Sequence, residues 1–568
     1  MPHQKPISKK RAHLRSNKSI CTQAHLEIAR TIPRPIIREY QSSIFSGVNK
    51  FISNHKTKLQ HLLDTSSAIH TPTHQANHQA NHQATHSAHF RVGCRHLNLA
   101  ENVDAASFKI PAFVDIFRHL IMQPAITNQL TAEELAELAR ILALSVKHDI
   151  YGALHHSPVG NKLADVYARV SHQIDLTQQF PTTDFHALLF NSFTSYTILE
   201  LIEEQMNHVS ICTLTYNGKQ YPNFLYIFHH SRPRVSKLTK TSLLDTLEIN
   251  HIAENILRRV VFLGEIINSH TLPNRLIIFL TDAKKEIDDA LEHKHHFRSL
   301  NVNTAVTNMH DIIIYRREEL YKSIFHELIH FHNLDFKYLP TELKQLALDY
   351  LTQTHNISPD NEYLLYEAIT ESLANTLNTA YLSKGMKEFR ANLANEILFS
   401  TFQVAKILRI CGYKKWGEFT LLEDSVKDSI KDVDVSKQWQ QDSCVFSYYV
   451  LKLYILLNLD DYWSHLLDTR MKFKTSKSHF SYLLDIFERG RKHPTLQKIM
   501  DYLLLADKGN RIVSNTLKTT PTNIKTTRKT LKTIGATINT TRKILKTTGK
   551  TIKSKMINKT LRMTCLDG

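Results

Sequence analysis

At 568 residues the chain is too long for one ordinary hydrophobic core and is expected to form two or three packed units. The formal charge of +18 suggests a polyanion-binding surface, but the excess lies at the ends: 15 Lys/Arg against one acid from Lys508 onward, and six Lys/Arg with no acid before Ile20. What remains holds 50 basic and 52 acidic residues, which excludes a basic surface along the whole chain. The six scattered cysteines, with no CxxC pair, exclude a disulfide framework.

Sparse cysteine points to an intracellular, reducing compartment. No apolar h-region opens the chain and no run of 18 apolar residues could span a bilayer, so a soluble protein without a transmembrane segment is expected. Residues 1–106 are His-, Gln-, Ser- and Thr-rich and read as low-complexity and mostly disordered. Within them His70, His74, His78, His82 and His86 recur every four residues. On a helix these imidazoles would share a face and could chelate a transition metal; a drifting tandem repeat without a role is the plainer reading.

Residues 107–206 read as a helical N-terminal lobe, clearest at Glu133–Ala139 after Thr131 as N-cap. Residues 207–340 change period. His208–Tyr216 and Lys219–His230 flank Asn217-Gly218, a strong hairpin signal because both residues tolerate the positive φ of a type I′ turn. A helix over Glu254–Asn268, a buried strand over Asn274–Thr281 and a short strand over Asp311–Tyr315 come next. Residues 341–506 carry helical periodicity and form a second lobe. Strands followed by helices predict an α+β body.

At the junction stands His326-Glu327-Leu328-Ile329-His330. On a helix, His326 and His330 share a face and can offer two nitrogens to one Zn²⁺, with Glu327 beside the attacking water, while Ile324, Leu328 and Phe331 form the packing stripe. With 34 His in the chain, composition alone predicts about 0.1 such matches, so the surroundings must decide. A catalytic zinc needs a third protein ligand and an open position. Tyr366-Glu367-Ala368-Ile369-Thr370-Glu371 places two carboxylates on one helical face. The gluzincin arrangement makes Glu367 the ligand and Glu371 the carboxylate behind a ligand histidine, with the exchange of roles left open. A metzincin is disfavoured, since Asn333 stands where its Gly belongs and Phe336 where its third His belongs. The chemistry implied is metal-assisted peptide hydrolysis with Glu327 as general base. The bland alternative is a surface helix with two histidines and a solvated pair of glutamates.

The segments Asn301–Thr307, Ile312–Lys322, His326–His330 and Leu334–Phe336, with Tyr366–Glu371 and Phe446–Lys452, resemble the zinc metallopeptidases of giant, nucleocytoplasmic large DNA viruses. The likeness covers residues from about 250 to 460, under half the chain. It implies a zincin-like core, a protein or peptide substrate, a viral gene product acting in the virion or the host cytoplasm, and a Tyr448 or Tyr449 hydroxyl that stabilises the oxyanion. Asn301–Thr307 could form a substrate-binding edge.

Residues 507–568 end the chain in a basic Thr/Lys tail with a seven-residue repeat from Leu517. One apolar residue per heptad is half of what a coiled-coil seam requires, and Pro521, Gly535 and Gly549 oppose a free helix. Such a tail could meet nucleic acid or an anionic membrane through residues 508–568, or remain a disordered repeat. Two functions from different classes therefore compete: a zinc peptidase, and a zincin-fold structural or nucleic-acid-binding protein without activity.

Overall fold

The computed structural model describes residues 31–70, 90–98, 194–206, 208–229, 241–287, 296–307, 311–336, 340–422, 439–505 and 560–566, with a few residues more between 22 and 29 and between 131 and 136. The His repeat beyond His70, nearly all of the expected 107–206 lobe and the tail from 506 to 559 lie outside the described residues.

The architecture is mixed α+β. A six-stranded sheet is formed by β1 (Phe90–Asn98), β2 (His208–Tyr216), β3 (Lys219–His229), β4 (Arg275–Phe279), β5 (Ala305–Thr307) and β6 (Asp311–Ile314). Its spatial order is β1-β2-β3-β4-β6-β5. The centre is parallel, β3 beside β4 beside β6, and both flanks are antiparallel. Central strands covered on both faces need unbroken apolar runs, and Leu276–Phe279 and Ile312–Ile314 are fully buried. The β2–β3 hairpin turns through Asn217 (φ 49°) and Gly218 (φ 76°), the two positive values that the Asn-Gly pair predicts.

Among the described residues the longer helices are α1 (Arg34–Asn54), α2 (Lys56–His70), α3 (Tyr196–Gln205), α4 (Thr241–Ile267), α5 (Leu320–Phe331), α6 (Thr341–Thr354), α7 (Leu365–Leu382), α8 (Met386–Ile410), α9 (Lys477–Arg491) and α10 (Pro494–Leu505). The motif helix α5 is held between α4, where Phe262 meets Phe325 edge-on, and α7. Ile324 and Leu328 are fully buried, as their stripe requires. Between Asp442 and Lys477 the chain makes two short π-helical turns, Ser447–Leu451 and Tyr462–Leu466.

Several sequence expectations are corrected. Within the first 106 residues, expected to be mostly disordered, the described stretch 31–70 is helical: α1 and α2 pack on the second lobe, with Tyr40 hydrogen-bonded to Thr401 at 2.7 Å and Phe51 edge-on to Trp463. Their apolar residues, Ile37, Tyr40, Ile44, Val48 and Phe51, recur at helical spacing, and burying that stripe offsets the ordering of a polar stretch. β1 extends the sheet of the 207–340 lobe, and among the described residues that lobe shares one core with α1, α2 and the 341–506 helices. Cys94 and Cys212 face each other across β1 and β2 and are joined by a disulfide, a pairing their distance of 118 residues in sequence had concealed. Cys411, Cys444 and Cys565 are free and buried. Within the expected tail, Thr560–Leu566 is built into the body, almost wholly buried. Among the described residues no helix is long and apolar enough to cross a membrane.

Candidate metal centre

Helix α5 enters the site through Glu319, whose φ of 61° starts the helix abruptly after β6, and leaves it through Asn333 at φ 51°. Asn tolerates that left-handed turn, so no glycine is required there. The chain then turns inward and buries Phe336 against the Phe473 ring, which removes the position where a metzincin would place its third ligand.

His326 and His330, one helical turn apart, bring their Nε2 atoms to 3.1 Å. Glu367, in the first turn of α7, places Oε2 3.2 Å from the first Nε2 and 3.4 Å from the second. Among the described residues this His/His/Glu group is the one that could hold a metal ion. A tetrahedral ion with bonds of about 2.0 Å has ligand-to-ligand edges of about 3.3 Å, so the triangle has the size of one face of such a site.

The other side of each imidazole explains why these atoms face one another. His326 Nδ1 donates to Glu371 Oε2 at 2.9 Å, and His330 Nδ1 donates to Asp335 Oδ2 at 2.6 Å. With the Nδ1 positions holding the protons, both neutral rings turn bare Nε2 lone pairs toward a carboxylate oxygen, and Glu367 Oε2 has no hydrogen-bond donor. Three acceptors converging on one point suit positive charge there, whether a proton on an imidazole or a metal ion. Electrostatics agree. Burial alone would lower the histidine pKa values, but Glu367, Glu371 and Asp335 outweigh it and raise both, His330 the more. Burial alone would raise Glu367, yet the two imidazoles hold it down at about 2, and Lys322 with His326 holds Glu371 lower still. The arrangement of residues thus fits a metal ion, with Glu367 rather than Glu371 facing it.

Glu327 lies on the same helix, and its Oε2 accepts from Thr307 Oγ1 at 2.7 Å. Thr307 belongs to β5, the last strand of the sheet among the described residues, so of the segment 301–307 only Ala305–Thr307 forms a strand beside α5. The histidine face is not an open cleft, however: His326 and Glu327 are buried, and His330 is half-buried.

The two candidate tyrosines separate. The π-helical turn Ser447–Leu451 puts Tyr448 edge-on to His326, ring centroids 6.0 Å apart. Burial, then the nearby Glu367, push its hydroxyl far above the usual range. Tyr449 points away and gives its hydroxyl to the Leu561 carbonyl, so the expectation that it serves the site is corrected. Adjacent residues on a helical turn cannot face the same way. Tyr366, which sequence reasoning passed over, lies edge-on to His330 at 5.9 Å; its place one residue before Glu367 was the available signal. Thr370, which donates to Asp335 at 3.1 Å, and Lys322, 2.9 Å from Glu371, were also missed as supports. No protein-family model, curated protein or solved structure matches this chain.

Proposed function

We propose that this chain is a zinc-dependent peptidase with a gluzincin-like centre in a zincin-like core, holding Zn²⁺ through His326, His330 and Glu367. The observation that carries the reading is the convergence of three donor atoms at 3.1–3.4 Å while both remaining imidazole nitrogens are claimed by carboxylates. Two nitrogens and one carboxylate oxygen in a small buried triangle suit zinc, and three protein ligands leave a fourth position for chemistry. A zinc ion held there supplies Lewis-acid polarisation of a carbonyl and makes water easier to deprotonate.

Glu327 takes the proton of the attacking water and passes it to the leaving amine. Thr307 fixes the carboxylate from the strand side. β5, at the edge of its sheet among the described residues, can align an extended peptide antiparallel to itself. Tyr448 is the residue placed to donate to the developing oxyanion, with Tyr366 on the His330 side.

The burial of Glu327, only 4 % exposed, favours one second reading: a zinc-holding body without turnover, which would reach nucleic acid or an anionic membrane through its basic tail. One pair of variants separates them. His326→Ala should abolish stoichiometric zinc, whereas Glu327→Gln should keep zinc and lower peptide hydrolysis by about 10²–10⁴-fold. Wild-type protein that holds zinc yet cleaves no member of a broad peptide library would favour the second reading.

A further inference from the structure

Residues 560–566 occupy a channel behind the metal centre, lined by α7, α8, the π-helical turn after Phe446 and the start of α5. What lines it recognises backbone. The carbonyl of Arg562 accepts from Gln403 Nε2 at 2.6 Å, that of Met563 from Lys452 Nζ at 2.8 Å, and that of Leu566 from Asn378 Nδ2 at 3.0 Å. The amides are taken in pairs. Glu319 Oε1 accepts from Met563 N and Thr564 N at 2.6 and 2.7 Å, and Glu396 Oε1 from Cys565 N and Leu566 N at 3.0 and 2.9 Å.

Both carboxylates are fully buried. Glu396 has no ion pair among the described residues, and its other oxygen has no hydrogen-bond partner. Without the segment, Glu319 would keep Lys285 at 2.7 Å on one oxygen but lose both amide donors on the other, and Glu396 would lose its amide donors altogether. Glu319 is moreover a non-glycine residue held at φ 61°, a conformation that persists where surrounding contacts fix it.

The channel adjoins the site's supports. Lys322 Nζ lies 2.9 Å from both Glu371 oxygens and 3.7 Å from Met563 Sδ. Lys452 Nζ, bonded to the Met563 carbonyl, is 4.0 Å from Glu371 Oε1. Glu371 in turn holds His326 Nδ1 at 2.9 Å. Two lysines therefore touch the segment on one side and the carboxylate that orients a proposed ligand on the other.

We propose that the channel is a peptide-binding site that reads main chain, filled by this chain's own residues 560–566, and that filling it fixes Glu371 and through it the His326 imidazole. The second half rests on the proposed metal centre. The ligand class is a short peptide bent so that successive free amide N–H groups point to one carboxylate, since most of the selecting contacts go to backbone atoms.

The test keeps the chain whole until it has folded. A site-specific protease sequence placed between Lys518 and Lys546 is cut in the folded protein, and a fluorescein-labelled peptide of residues 560–566 is offered. The released fragment should co-elute with the body, and the labelled peptide should replace it saturably, read by anisotropy. The same peptide N-methylated at Met563 and Cys565 should bind at least tenfold more weakly. Loss of the fragment on cutting with no uptake of labelled peptide, or equal binding of the N-methylated one, overturns the peptide site.

Zinc affinity, read by chelator competition, should weaken about tenfold or more when the fragment is removed and return when the peptide is added. Should the emptied body unfold, full-length Thr564→Pro, which removes one amide donor to Glu319 and the hydroxyl that donates to Glu396, serves instead and should weaken zinc binding with helical content kept. An affinity unchanged within twofold in Thr564→Pro overturns the coupling. An intact chain that takes up no zinc overturns the metal reading and the coupling with it, while peptide exchange still decides the channel by anisotropy alone.

Discussion

Asp335 and Glu371 do the same work from opposite sides of the site, each accepting from the Nδ1 of one histidine. Neither faces the proposed ion, yet each decides which nitrogen does. Asp335→Asn should therefore leave the fold intact and weaken zinc affinity by about 10–100-fold, measured by chelator competition. Retention of wild-type affinity would mean that the His330 tautomer is set by something else. His355 offers a second residue-level test, away from the metal. It is fully buried, with Nε2 3.0 Å from Tyr454 Oη, and burial, aided by Arg491, lowers its pKa to about 3. Since the unfolded value is about 6.5, the folded protein binds fewer protons between pH 3 and 6.5, and stability conferred by the neutral ring is lost as pH falls through that window. The slope assignable to His355 is about 1.4 kcal/mol per pH unit, and urea midpoints of wild type and His355→Gln at about pH 4.5, 5.5 and 6.5 should converge toward acid. At this scale the sequence was informative wherever spacing along one helix set the geometry: His326 with His330, and Glu367 with Glu371. It was silent where partners come from elsewhere, as with Lys322 on Glu371, 49 residues away.

Elements whose pattern is local were legible. The Asn-Gly hairpin, the Ile-rich strands and α5 all announce themselves by period or turn chemistry. Helices α1 and α2 carry the same 3.6-residue stripe but were masked by composition, because polar residues dominate the stretch and only the second lobe supplies the surface that buries its apolar face. The π-helical turn at Ser447–Leu451 left no trace in the sequence, and it is what sends Tyr448 toward His326 and Tyr449 toward Leu561. Packing between elements also hinges on small residues. In α9 a Cβ on Gly490 would lie 2.4 Å from Tyr454 Cβ, nearer than real carbons approach. Gly490→Ala should accordingly destabilise by about 1–3 kcal/mol through overpacking, despite alanine's better helix propensity, as read by urea denaturation. A neutral result would show that α9 can slide away from Tyr454.

At the scale of the whole molecule, sheet, second lobe and the 560–566 segment meet around one buried centre, so its occupancy should be felt globally. Zinc at about 100 times its Kd would add about 2.7 kcal/mol to the folded state, and chelation should lower the melting temperature of the wild type but not of His326→Ala. Equal shifts in the two proteins would place any stabilising metal elsewhere. The division into lobes was the least legible property, because β1 and the 560–566 segment join bodies from which long stretches of chain separate them. That wiring bears on the order of folding. Glu319 meets the amide of Met563 across 244 positions, and Glu396 meets Leu566 across 170, so Glu396 finds its amide donors, and Glu319 its donors beyond Lys285, only after a very large loop closes. A growing chain can assemble sheet and helices as they are made, but it must carry an unfilled interior until residue 566 has been synthesised. Until then it exposes a vacancy that chaperones, proteases or a neighbouring copy's matching segment could find first.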